Sequence, residues 1–94
     1  MSYTRWRLVK KFPGHGAADV IYPFGEENIA VGTTRWMGAA GGRIYLSRDA
    51  GKSWEDVTGD LPNGNGAAGI AYDPKENFLY IARYADSVYK TKIR

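Results

Sequence analysis

The chain has 94 residues, a length that fits one small domain or a piece of one. It contains no cysteine, so disulfides cannot stabilise it, while 44% hydrophobic and 14% aromatic residues argue against a disordered chain. The net charge of +3 comes from basic residues spread along the chain, which does not predict a nucleic-acid surface.

Short runs of β-branched and aromatic residues, bounded by turn residues, predict strands along the whole chain. The first predicted strand is residues 5–11. Four more are predicted at 17–22, 28–33, 42–48 and 53–58, and a further three at 67–73, 78–83 and 87–93. The expected fold class is therefore all-β.

The later strands repeat the pattern of the earlier ones. Gly16-Ala17-Ala18 matches Gly66-Ala67-Ala68 about 50 residues later, and the same alignment places Tyr22 over Tyr72. Four-stranded units with this period are typical of propeller blades. The sequence predicts a first blade at 12–62 and a second blade at 63–94, the latter lacking its own fourth strand.

The turn between the third and fourth strands of the first blade reads S-x-D-x-G-x-x-W. Asp49 can accept hydrogen bonds from nearby backbone N–H groups, Gly51 can take a positive φ, and Ser47 can add a hydroxyl bond. Trp54 can lie over the turn. This motif resembles the Asp-box, or BNR repeat, of sialidase-type and sortilin-type β-propellers. The resemblance implies that these four residues are structural and lie on the face away from the usual active site.

Two blades cannot close a ring. Residues 5–11 precede the first blade, so we expect them to complete the second blade of a neighbouring chain. A head-to-tail contact of this kind must close or grow into a filament. Three chains would give a six-bladed homotrimer, which we favour, and four would give eight blades.

Candidate ligand residues lie in the loops predicted to face away from the Asp-box. The longest connects the second and third strands of the first blade and carries Arg35 and Trp36, which could form a platform for a sugar ring. Alternatively, Trp36 packs over the seam between blades. Arg83 and Tyr84 form a shorter pair in the second blade, and His15 lies in the first interblade loop.

No catalytic residue is predicted. Sialidase chemistry needs a tyrosine–glutamate pair that no motif here places, and Asp19 and Asp86 are the only carboxyls expected near the loops. His15 has no cysteine or carboxylate beside it, so we expect neither metal nor cofactor. The predicted function is a non-enzymatic, lectin-like binding module, or alternatively a protein-interaction scaffold without a small-molecule ligand. With no signal peptide or transmembrane segment predicted, a cytoplasmic protein is expected by default.

Overall fold

The computed structural model describes residues 5–12, 18–33, 42–62, 66–83 and 87–93. These residues form two antiparallel β-sheets, one of four strands and one of three, which confirms the all-β class. Within these ranges there is no helix, and hence no helix that could cross a membrane.

The first sheet has the order β1-β2-β3-β4, and the second has the order β5-β6-β7. Their bounds are β1 Ala18–Phe24, β2 Asn28–Thr33, β3 Ile44–Ser47 and β4 Glu55–Asp56, then β5 Ala67–Asp73, β6 Phe78–Arg83 and β7 Val88–Lys92. Strand placement follows the sequence prediction, although β1 is longer than expected and β3, β4 and β7 are shorter. Residues 5–12 form no strand within the single chain.

The two sheets repeat one another in register. Each has a bulge at the same place in its first strand, between Ala18 and Val20 in β1 and between Ala67 and Gly69 in β5. The cross-strand row Ile21–Val31–Tyr45 in the first sheet corresponds to the row Ile70–Ile81–Tyr89 in the second.

This correspondence corrects one part of the sequence alignment. Ala18 matches Ala67 and Ile21 matches Ile70, so the alignments of Ala18 with Ala68 and of Tyr22 with Tyr72 are both wrong by one residue. The physical reason is the β1–β2 turn, which is one residue shorter than the β5–β6 turn. Tyr22 and Tyr72 instead lie on facing surfaces of the two sheets, where Phe24 stacks on both rings at centroid distances of 5.9 and 4.3 Å.

The sheets pack on each other through what we call their inner faces; the opposite surfaces are their outer faces. The core between them comprises Ala30, Ile44, Leu46, Ala67, Ile70, Leu79, Ile81 and Ile93. The two inner faces approach each other closely at Gly32, where a Cβ would lie 2.7 Å from the Cβ of Ala67. The inner face of the second sheet corresponds to the outer face of the first, because Ile70 matches Ile21.

Candidate functional site

The predicted ligand loops leave the sheets at one end of the molecule. There the buried Thr33 at the end of β2 is bonded to the residue that precedes β3: its Oγ1 accepts a 2.9 Å hydrogen bond from the backbone N–H of Arg43. Gly42 and Gly66 approach so closely that a Cβ on Gly42 would lie 2.5 Å from the Cα of Gly66. The bases of two predicted ligand loops therefore meet at this end.

Of the five predicted ligand residues, Arg83 lies within the described part of the chain. It ends β6, its backbone N–H donates to the carbonyl of Ser87 at 2.9 Å, and its guanidinium lies 5.6 Å from the centre of the Tyr89 ring. His15, Arg35, Trp36 and Tyr84 lie outside the described residues.

A polar cluster next to these loops was missed from the sequence. Arg43 donates to Asp56 Oδ2 through both Nε and Nη2, at 3.0 and 2.7 Å. Asp56 Oδ1 accepts from the backbone N–H and the hydroxyl of Thr58, at 2.9 and 2.6 Å. Thr58 in turn accepts a 2.9 Å bond from the backbone N–H of Ile44. The cluster joins the start of β3 to the end of β4.

The electrostatics of this cluster suit a structural role. Partial burial opposes ionisation of Asp56, but the hydrogen bonds from Thr58 and Arg43 outweigh it and lower the pKa of the carboxyl. A carboxylate held ionised in this way is a poor general acid. Its lone pairs already accept hydrogen bonds from Arg43 and Thr58. The cluster therefore serves to hold the start of β3 to the end of β4.

The S-x-D-x-G-x-x-W turn lies at the opposite end of the molecule. Ser47 Oγ donates to Asp49 Oδ1 at 2.9 Å and accepts from the backbone N–H of Gly51 at 2.8 Å. Asp49 also accepts from the backbone N–H and the hydroxyl of Ser53, at 2.8 and 2.6 Å. Trp54 Nε1 donates to the carbonyl of Gly51 at 3.0 Å, which brings the indole against the turn.

These bonds fix the charge of the turn. The hydroxyl and the backbone N–H of Ser53, helped by Ser47 and the backbone of Lys52, lower the pKa of Asp49 to about 2. Gly51 has φ of +91°, a conformation that side chains rarely adopt. The turn is also tied to the β1–β2 hairpin, since the N–H of Ala50 donates to the carbonyl of Glu27 at 2.8 Å.

The amino-terminal segment lies against the outer face of the first sheet. Phe12 packs on Tyr45 with ring centres 4.5 Å apart and meets Trp54 edge-on at 5.5 Å. Val9 and Phe12 line a groove of about 300 Å³ whose floor includes Ile29 and Val31. Further back along the segment, Trp6 is 92% exposed and Leu8 81% exposed.

The described residues contain no group of three or more histidine, cysteine or acidic side chains that could hold a metal ion. Comparison with known proteins gives no match: no family model, no curated protein and no solved structure matches the chain. The Asp-box resemblance therefore depends on the residues of the turn and on their geometry.

Proposed function

We propose that the chain is one subunit of a closed homo-oligomeric β-propeller, with a six-bladed homotrimer favoured, which acts as a non-enzymatic, lectin-like binding module. In this assembly residues 5–11 form the fourth strand of the second sheet of a neighbouring copy.

The position of the amino-terminal segment carries the proposal. Val9 and Phe12 cover the outer face of the first sheet, while Val57 and Leu61 cover the inner face of the second and line a groove of about 310 Å³ there. These two faces correspond in the repeat. Val57 follows directly after β4, the fourth strand of the preceding sheet. By the same correspondence, residues 5–11 take the place of the fourth strand in a sheet that precedes the first.

Exposure and pairing agree with this assignment. Among the described residues β7 pairs with β6 alone, so its other edge has open backbone groups. Trp6 and Leu8 leave most of their apolar surface in water, and burial in a neighbour's sheet would remove it. The contact uses two different surfaces of the chain, so it is head-to-tail. Such a contact either closes into a ring or grows into a filament, and the proposal is the closed ring.

The ligand assignment rests on the loop end of the molecule. Arg83 is held beside Tyr89 there. The described strand ends Ala18, Thr33 and Arg83 are the neighbours in the chain of the segments that carry His15, Arg35, Trp36 and Tyr84. Indole and guanidinium groups suit a sugar ligand. The indole ring stacks on the apolar face of the sugar, and the guanidinium donates hydrogen bonds to the sugar hydroxyls. Copies around a ring would add avidity on a glycan surface.

Light scattering on the purified chain tests the assembly. A trimer has about three times the 10.4 kDa chain mass, whereas a folded monomer contradicts the proposal. Val57 N–H donates to the carbonyl of Ile44 across the β3–β4 ladder at 2.9 Å, and Val9 takes the place of Val57. Val9→Pro should therefore abolish assembly. Leu8→Pro is the matched control, because backbone bonds alternate along an antiparallel pair and this N–H points away.

A glycan array on the assembled protein tests the ligand. Binding that free sugar competes away supports the lectin-like function, whereas binding that tracks one protein partner and resists sugar supports a scaffold. Trp36→Ala separates the two roles of that residue: lost sugar binding with intact mass supports the platform, and lost assembly supports packing. Trp36→Phe, which keeps an aromatic face, is the conservative control.

A further inference from the structure

The residues that form the contact between the two sheets have counterparts in the repeat, and these counterparts are exposed on the outer faces of the chain. Inside, Gly32 of the first sheet meets Ala67 and Ile70 of the second, and all three are buried. In the repeat, Ala82 corresponds to Gly32, Ala18 to Ala67 and Ile21 to Ile70. The three counterparts are exposed, and they lie on the two outer faces of the chain.

The difference in exposure is large at the bulky positions. Ile70 is 9% exposed while Ile21 is 67% exposed. Ile44, which pairs with Gly32, is 4% exposed, whereas Val88, which pairs with Ala82, is 69% exposed. Apolar side chains are thus buried at the contact between the two sheets, whereas their counterparts on the outer faces are exposed to water. Burying the exposed counterparts would remove the free-energy cost of hydrating them.

We propose that the outer face of the second sheet of one copy covers the outer face of the first sheet of the next copy, with Ala82 and Val88 seated on Ala18 and Ile21. This interface rests on the proposed ring, and it adds a face-to-face contact to the strand exchange. Its occupant is a second copy of this chain, because the chain itself carries both halves of the contact and presents each to solvent.

The contact between copies differs from the interior contact at its periphery. Leu46 in the interior corresponds to Lys90, whose ammonium lies 4.3 Å from the centre of the Phe78 ring on the outer face. Lys92 lies 5.3 Å from the same ring. The interface therefore has an apolar centre at Ala82 and Val88 and a polar rim at Lys90 and Lys92, further along β7, the usual arrangement between separately folded partners.

A cysteine pair tests the contact, because the chain contains no natural cysteine. In the interior, a Cβ on Gly32 lies 2.7 Å from the Cβ of Ala67. Ala82 carries a real Cβ, so the corresponding gap between copies must widen by about 1 Å, which brings it to the ~3.8 Å separation of disulfide-linked Cβ atoms. Ala18→Cys combined with Ala82→Cys should therefore cross-link between copies on mild oxidation.

The double variant is expected to give a ladder of covalent species that ends at the mass found by light scattering. Each single variant should stay uncross-linked, and a mixture of the two single variants should give dimers only. Ile21→Cys with Ala82→Cys repeats the test at a second pair. Cross-linked single variants would indicate a two-fold contact and overturn the proposal.

Light scattering on the same samples separates the two proposals. An oligomer of unchanged mass in which neither cysteine pair cross-links overturns the face-to-face contact and leaves the strand exchange standing. A folded monomer that does not cross-link overturns both.

Discussion

Val9 occupies the space that a side chain on Gly51 would need: a Cβ on Gly51 would lie 2.8 Å from Cγ1 of Val9. The turn from Ser47 to Trp54 therefore supports the amino-terminal segment, since Gly51 leaves the space that Val9 occupies. A residue that looks purely local in the sequence is thus coupled to the segment that the proposed assembly uses.

Replacing Gly51 by alanine should destabilise the fold. The φ of +91° alone costs a side chain about 1–3 kcal/mol, and the contact with Val9 adds to it. Urea unfolding measures the loss. Gly59→Ala is the matched control, because Gly59 also has a positive φ, +56°, but a Cβ there meets nothing closer than 3.8 Å. Equal losses for the two variants would show that the Val9 contact is unimportant.

Acid should weaken the turn through Asp49. Its pKa in the fold is about 2, below the ordinary 3.8, so the ionised carboxylate stabilises the fold fully above pH 3.8. This stabilisation is lost as the pH falls from there towards 2. In urea titrations at pH 5, the free energy of unfolding of wild type should exceed that of Asp49→Asn. The difference between the two free energies should shrink below pH 3.8.

Carbon NMR on the Asp49 carboxyl checks the same prediction directly. Ser53→Ala removes the largest contribution to the low pKa and should raise it. A pKa that stays unchanged in this variant would contradict the assigned cause.

The hydroxyl of Thr58 should contribute measurably to the stability of the fold. It is 8% exposed, and its hydroxyl accepts from the backbone N–H of Ile44. Thr58→Val keeps the shape but leaves that buried N–H without its acceptor, which costs about 1–3 kcal/mol. Thr58→Ser keeps the hydroxyl and should lose clearly less stability in the same denaturant series. A valine variant as stable as the serine variant would mean that water replaces the hydroxyl.

Replacing Gly32 by alanine should destabilise the fold, whereas the same substitution at Gly69 should not. A Cβ on Gly32 lies 2.7 Å from the Cβ of Ala67, so alanine there forces the sheets apart at a cost of about 1–3 kcal/mol. Gly69→Ala adds the same methyl to the first strand of the second sheet, where the nearest atom is 3.9 Å away. Thermal unfolding of both variants compares them, and similar melting temperatures would mean that the sheets separate easily.

Salt should strengthen the proposed assembly. Glu55 lies opposite Leu46, and the same correspondence brings Arg7 of one copy opposite Lys90 of the next. Like charges in directly opposed positions cost about 0.2–1 kcal/mol, and added salt screens them. Lys90→Glu should tighten assembly by up to roughly fivefold and reverse its salt dependence. Sedimentation at several salt concentrations measures both effects, and assembly that weakens with salt in the wild type would contradict the proposed pairing.

The sequence was most informative where structure is local. Asp49, Gly51 and the strands beside them follow from short-range turn chemistry, so both the turn and the strand positions could be predicted. The alignment of β5 with β1 in the repeat could not be predicted. The β5–β6 turn has one residue more than the β1–β2 turn, and this shifts β5 by one position relative to β1. The pairing of Arg43 with Asp56 also escaped prediction, since it depends on which residues of β3 and β4 stand opposite each other.

The bond between Thr33 and Arg43 has a practical consequence for engineering. It joins the residue before position 34 to the residue after position 42, next to the β2–β3 pairing, so bonds between described residues on both sides fix the register of β2 and β3. Doubling the length of a flexible loop costs only about 0.6 kcal/mol in closure entropy. Foreign peptides grafted in place of residues 34–41 should therefore be tolerated as long as Gly42 keeps its close approach to Gly66, and the proposed ring would display one copy per subunit on a single surface.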